Sequence, residues 1–361
     1  MTPTWSDGIS DRGAVSAGNL FLDDAWVDAF ARHQPTGPLE PFALTMGQVR
    51  LPFGWARETM RGLPVRVMRV LGDPLADQCW FDPGAAWDWP AAVAALSQGP
   101  ACDVVVLSEL HAGEEERDAI TRAARNAGLR PQWRLCGQAP VVSLKTAGGD
   151  LKFEDYSSTL RRRLKRSRKK LDEAGQVTVE HHLPTPSEVD PLLERIKSIE
   201  DRSWKGDEGT GIFSAARLPF MRDVSHRLAE QGALELYFLN LDGVSISYRY
   251  GFRHAGRFLD YNLAYLPDYH HLSPGRLLLE EIVKTSRQEG LEAVDASRGS
   301  LERPHILRDW PCEIREHYRL TLYRNTPKGR LLHLLETRVR PVVLSLRQRF
   351  AKKTEDTRAG P

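Results

Sequence analysis

Residues 266–295, LPDYHHLSPGRLLLEEIVKTSRQEGLEAVD, constrain the fold of this chain most, because they join a turn, one amphipathic helix and a buried strand in a single run. Ser273 has the short polar side chain favoured at a helix N-cap, Pro274 suits the first helical position, and Gly275 lets another group approach the backbone closely. A helix start of this kind leaves first-turn amides unpaired at the positive end of the helix dipole, which attracts phosphate, and Arg276 adds a fixed charge. Leu278, Leu279 and Ile282 mark an inward face, Glu280 and Lys284 are spaced as an i,i+4 ion pair, and Gly290 is placed to stop the helix. Upstream, residues 256–265, GRFLDYNLAY, have the aromatic and apolar content of a strand, and residues 292–296 read as the next one.

A strand leading into a turn that cradles pyrophosphate, then a helix and a neighbouring strand, resembles the acyl-coenzyme A motif of the GNAT N-acyltransferase superfamily. The usual GNAT turn carries Gln/Arg-x-x-Gly-x-Gly/Ala. Here it reads His270-His271-Leu272-Ser273-Pro274-Gly275-Arg276, with one glycine and an inserted proline. An SPG turn before a Leu-rich helix is similar to the branch that includes Fem-type peptidoglycan aminoacyltransferases and acetyltransferase-like proteins of cellulose and exopolysaccharide biosynthesis. Residues 203–212, SWKGDEGTGI, and residues 232–250, GALELYFLNLDGVSISYRY, resemble the SWKG loop and central hairpin of that branch, with Asp242-Gly243 as the hairpin turn. The resemblance spans residues 151–324.

It implies acyl-coenzyme A as co-substrate, with the pyrophosphate at Leu272, Ser273, Pro274, Gly275 and Arg276. The thioester oxygen would meet a backbone amide among Asn262, Leu263, Ala264 and Tyr265. Acyl transfer to an amine also needs a route for the amine proton and a donor for the departing thiolate. Asp260 and Tyr261 point to opposite faces of their strand, so one of them faces the groove. A carboxylate in an apolar strand must find a partner, so Asp260 is either a base or substrate anchor, or one half of a structural ion pair. Asp295 followed by Arg298-Gly299 resembles the D-x-x-x-G segment of the family, but the Tyr-Lys that often follows is replaced by a longer run through Arg303-Pro304-His305, where His305 stands as a proton shuttle. Trp204 and Lys205, beside the glycine-rich acidic stretch 206–211, and Arg298 are the expected substrate contacts.

The fold expected is α/β (α+β), built as two GNAT-like halves, each a mixed central sheet flanked by helices. Residues 1–35 form an irregular lead-in with one short helix, 36–150 an N-terminal half, 151–330 the acyltransferase half, and 331–361 a basic amphipathic tail. Strand, helix, glycine, strand recurs over residues 103–144, but there the helix opens on Glu114-Glu115-Glu116, which repels phosphate, so the cofactor groove is assigned to the second half. Residues 156–175 read as a helix with eight basic residues between 161 and 170 and a seam of Leu160, Leu164 and Leu171. Its exposed face is either a solvated surface or a platform for an anionic substrate, coenzyme, nucleic acid or membrane surface.

A net charge of +2 gives no global case for nucleic acid. Cys79, Cys102, Cys136 and Cys312 have neither CxxC nor metal-ligand spacing, so no metal is expected and they read as reduced thiols. The amino terminus lacks the pattern of a secretory signal and no apolar run spans a bilayer, so a cytoplasmic location is expected, with membrane-surface contact left to the tail. The acceptor expected is an amine-bearing small molecule such as an amino sugar, a polysaccharide precursor or an amino acid derivative. The alternatives are an aminoacyl-tRNA-dependent Fem-like transferase and a catalytically degenerate GNAT scaffold that binds partners.

Overall fold

The computed structural model describes residues 3–7, 18–47, 49–80, 87–146 and 148–340. The chain begins β1 (Thr4–Asp7), α1 (Asp24–His33), β2 (Glu40–Met46), β3 (Val49–Met60), β4 (Leu63–Val70), α2 (Trp89–Leu96), β5 (Val104–Leu110), α3 (Glu114–Asn126) and β6 (Arg130–Ser143). A small ladder of β7 (Lys145–Thr146) and β8 (Gly149–Asp150) leads to α4 (Ser158–Ala174), β9 (Val177–His182), α5 (Pro186–Asp201), α6 (Trp204–Glu208) and α7 (Leu218–Glu230). There follow β10 (Leu234–Leu241), β11 (Val244–His254), β12 (Arg257–Tyr265), α8 (Pro274–Gln288), β13 (Ala293–Asp295), β14 (Glu313–Tyr323) and α9 (Pro327–Leu334).

All strands except β7 and β8 belong to one mixed sheet in the order β1-β2-β3-β4-β5-β14-β6-β13-β12-β11-β10-β9. The two ends mirror each other. Strands β1 to β4 form an antiparallel meander and β4 pairs in parallel with β5; β9 to β12 do the same and β12 pairs in parallel with β13. At the centre the halves exchange strands. Strand β14 inserts antiparallel beside β5, and β6 crosses to lie antiparallel beside β13, with β6 and β14 paired over the whole length of β14. Two separate sheets were the simpler reading of the sequence. No local signal distinguishes a strand that pairs within its own half from one that crosses.

Helix boundaries follow local chemistry. Ser157 accepts from Leu160 N at 3.1 Å and caps α4, whose buried seam is Leu160, Leu164 and Leu171. Thr185 and Glu188 form a reciprocal capping box at α5, with Pro186 first in the helix. The lead-in does more than the sequence indicated. Helix α1 buries Trp26 edge-on against Phe220 of α7 at 5.2 Å, so it helps cover the second half of the sheet. In α8, Leu278, Leu279 and Ile282 are fully buried as expected, but the expected pair is not made. Glu280 instead binds Arg168 of α4 at 2.7 Å, and Lys284 binds Glu281 at 3.1 Å. A tertiary partner for Glu280 and an i,i+3 partner for Lys284 outcompete the weak i,i+4 attraction here.

Among the described residues no helix is long and apolar enough to cross a membrane. Helix α9 buries Leu332 beside Tyr323 of β14. Most of the expected basic tail, from residue 341 on, lies outside the described residues.

Candidate active site

Strand β12 keeps its parallel partner β13 only across Arg257, Phe258 and Leu259. From Asp260 onward it remains paired with β11, but its other edge opens into a groove of about 870 Å³. Helix α8 starts at this opening, so the groove is walled by an unpaired strand edge on one side and a helix N-terminus on another. Asp260, Tyr261, Asn262, Leu263 and Tyr265 line it from β12. Ser273, Pro274, Gly275 and Arg276 line it from the turn, and the other lining residues include Asp77, Trp204, Lys205, Arg298, Arg303 and His305. Ala264 and Leu272 do not. Both side chains are buried in the core.

The turn differs in detail from the sequence reading. Ser273 adopts a left-handed conformation, φ 58° and ψ 49°, and its hydroxyl does not cap α8. A 3₁₀ turn over Pro267–Leu272 ends when Ser273 N donates to His270 O at 3.0 Å, and the Ser273 carbonyl then receives Arg276 N at 3.1 Å. Gly275 is buried, and a Cβ placed on it would meet only Arg249 Nη2 and Leu263 Cδ1, both at 3.8 Å. The space in front of it is open. Arg276 is not a free charge: it is ion-paired with Asp309, which also holds Arg163 of α4 at 3.2 Å.

Beneath the turn lies an arginine that sequence reasoning passed over. Arg249 of β11 is fully buried; its Nε and Nη2 donate to the Gly275 carbonyl at 3.2 and 2.9 Å, and its Nη1 donates to Asp260 Oδ2. His305 Nε2 lies 3.2 Å from the same Asp260 oxygen, while His305 Nδ1 accepts from Leu307 N at 3.2 Å. The second contact assigns the histidine proton to Nε2, so both ring nitrogens are engaged. Burial alone would raise the Asp260 carboxyl, but Arg249 and then His305 overcome it and hold it below the ordinary carboxylate value. Asp260 Oδ2 thus holds both groups, while its Oδ1 is buried and without a hydrogen-bond partner among the described residues. His305, expected as a proton shuttle, is held here between Asp260 and the Leu307 amide. Tyr261 is also corrected: its hydroxyl donates to Leu75 O at 2.9 Å, and burial pushes its proton affinity well above that of a free tyrosine.

A second polar network lies at the Trp204 end. Glu200, the buried end of α5, accepts from Tyr248 OH at 3.0 Å, Asn262 Nδ2 at 3.1 Å and Phe213 N at 2.8 Å. Asn262 Oδ1 in turn accepts from Lys205 Nζ, which lies 3.7 Å from Glu200. Burial lowers the Lys205 ammonium to about 8, against the pull of Glu200. Residues 204–208 form the short helix α6, capped by Ser203, rather than an open loop. Gly206 is obligatory there, since a Cβ would fall 2.2 Å from Asp201 O. Trp204 rests on the Tyr265 ring at 4.8 Å. Glu200 lacked a sequence signal beyond being an acid late in an amphipathic helix. Arg249 had one: an arginine between tyrosines in a strand needs a buried anion.

Arg298 Nη2 reaches Glu109 of β5 at 2.9 Å and its Nη1 donates to Pro74 O at 3.0 Å, so one groove wall is tied to the first half. Gly299 allows the close crossing behind it, because a Cβ would sit 1.8 Å from Gln138 O on β6. Away from the groove, His181, Glu235 and Glu289 bring ligand atoms within 4.8 Å of one another. Arg253 already bridges both carboxylates, which makes this an ion-pair network.

Residues 158–303 match the family model described as an acetyltransferase (GNAT) domain, a span running from α4 through the groove. The crystal structure of FemX is similar with a TM-score of 0.57, at 11% identity, over 87% of this chain and 94% of that one. A conserved protein of unknown function from Bacteroides thetaiotaomicron is similar with a TM-score of 0.51, at 9% identity, over 87% of this chain and 93% of that one. At such identities the likeness is one of fold: a mixed α/β protein with one large sheet flanked by helices. No curated protein sequence matches the chain.

Proposed function

We propose that the groove binds an acyl-coenzyme A and transfers its acyl group to an amine, the acceptor being an amino sugar, a polysaccharide precursor or an amino acid derivative. The observation that carries this reading is the junction of the open β12 edge with the first turn of α8. It puts backbone donors beside an unfilled approach at Gly275, as a thioester and a pyrophosphate require. The residues fit the coenzyme as a small anionic headgroup held by backbone, with Arg276 shared between phosphate and Asp309.

The bound coenzyme would supply the activated acyl group; the chain supplies orientation and protons. Asn262 and Tyr248 hold Glu200, and Glu200 with Asn262 aims the Lys205 ammonium into the groove. With its proton affinity near that of a thiol, Lys205 is the donor to the departing sulfur. Trp204 and Tyr265 exclude water from that end.

Calorimetry with acetyl-coenzyme A and with a longer acyl-coenzyme A tests the reading. Stoichiometric binding of either supports it, and absence of both would overturn it. A second reading draws on the exposed basic face of α4 and on the Fem resemblance: an aminoacyl-tRNA donor, for which the same titration would be silent and a charged tRNA would bind.

A further inference from the structure

We propose that the acceptor end of the groove is composite, and that Asp77, supplied by the first half of the chain, is the catalytic residue that takes the proton from the acceptor ammonium. This rests on the acyl-transfer reading above. Only two carboxylates line the groove among the described residues, Asp77 and Asp260. Asp260 is committed to Arg249 and His305. Glu200, nearby, is filled by Tyr248, Asn262 and the Phe213 amide. Among the described residues Asp77 has no ion pair within salt-bridge distance: Arg298, the cation that acts on its carboxyl, is bonded to Glu109 and to the Pro74 carbonyl.

The segment that carries Asp77 bridges its own half and the groove. Tyr261 donates to Leu75 O at 2.9 Å, Arg298 to Pro74 O at 3.0 Å, and Gln78 Nε2 to Ser297 O at 3.4 Å. Behind it, Cys79 N donates to Glu109 O at 3.0 Å. The charged and titratable groups that face Asp77 are Arg298, Glu109 and Asp295, with the Tyr261 phenol beside it. Burial is the main cause that lifts its carboxyl, to about 8; Glu109 and Asp295 add to this, and Arg298 and the Ser297 hydroxyl oppose it. A carboxylate of that basicity is matched to deprotonating an alkylammonium, whereas an ordinary aspartate is too weak a base.

The proton count closes. Asp77 takes one proton from the ammonium, and the freed lone pair attacks the thioester carbonyl, forming the C–N bond. As the C–S bond breaks, Lys205 protonates the sulfur, and the second nitrogen proton restores the Lys205 ammonium. Asp77 then releases its proton to water.

The test compares the full-length protein with D77N and D77E, using acetyl-coenzyme A as donor. Acceptors are a panel of primary alkylamines, including glucosamine and lysine, and hydroxylamine, which is already unprotonated at neutral pH. Wild-type and D77N should bind acetyl-coenzyme A equally by calorimetry. D77N should lose about a hundredfold or more in transfer to the alkylamine that the wild type uses, keep its transfer to hydroxylamine, and lose the rise of rate with pH towards 8; D77E should recover part of the loss. Infrared difference spectra should show a protonated carboxyl in the wild type that ionises near pH 8 and is missing from D77N. Equal losses on alkylamines and hydroxylamine, no loss, or a carboxyl ionised throughout neutral pH would overturn the role of Asp77 and leave the acyltransferase reading standing. Failure of the wild type to bind acetyl-coenzyme A would instead remove both.

Discussion

Arg249 and Asp260 face each other across β11 and β12 as an ion pair with side-chain exposures of 0% and 1%. The pair is not an isolated staple, since the same guanidinium holds the Gly275 carbonyl. Strand edge and helix start are therefore set relative to each other by a single buried cation.

Removing one partner should strand the other. D260N or R249M is expected to cost about 3 kcal/mol or more in stability, the usual penalty for an uncompensated buried charge. The R249M/D260L double variant should recover much of it. Urea unfolding of the three proteins checks this; additive single-variant losses would show that the two side chains do not depend on each other.

At the helix start, G275D should abolish coenzyme A binding, because the new carboxylate would occupy the open approach and repel phosphate. G275A should fold normally, since its Cβ meets nothing closer than 3.8 Å. Unchanged coenzyme affinity of G275D by calorimetry would sink the placement of the pyrophosphate.

Lys205 gives a pH dependence with a definite sign. As the proton donor to sulfur it must be charged, so transfer should fall as pH rises through about 8, and K205M should lose both that limb and most of the rate. Stability runs the other way. A lysine whose folded value is about 8 and whose free value is 10.5 binds fewer protons folded than unfolded between those limits, so its penalty is full below pH 8 and is relieved towards 10.5. K205M should therefore raise the melting temperature more at pH 7 than at pH 10, and the reverse order would contradict the burial of the ammonium.

On α4, Arg163 and Arg168 are tied to Asp309 and Glu280, whereas Arg162, Lys165 and Arg166 make no salt bridge among the described residues. Changing Arg161, Arg162, Lys165 and Arg166 together to glutamine should weaken coenzyme A binding mainly at low salt, where screening is least. A loss that persists at high ionic strength, with the fold intact, would point to a specific pocket on this helix.

What was legible in the sequence was local or patterned. The helix opening at Glu114, the Leu160, Leu164 and Leu171 seam and the Asp242-Gly243 hairpin turn depend on neighbours in the chain, and the groove residues sit close together because one strand, one turn and one helix carry most of them. What was not legible was the choice of partners. Asp260 announced a need for a cation, but Arg249 and His305 satisfy it from a paired strand and a distant loop. Arg276 looked free because Asp309, its counter-ion, lies 33 residues away. Asp77 sits in a turn-rich stretch with no motif, and only the fold brings it to the opposite half.

The exchange of β6 and β14 bears on how anything can enter. A hinge between the halves would have to shear the long β6–β14 ladder, whose backbone hydrogen bonds run the whole of β14. The two lobes are planks nailed through each other, so the cleft is a slot of fixed gauge rather than a jaw. Selection by size must then lie in the side chains that narrow it, and widening the slot is a matter of trimming Trp204, Tyr265 or Arg303 and not of loosening a joint.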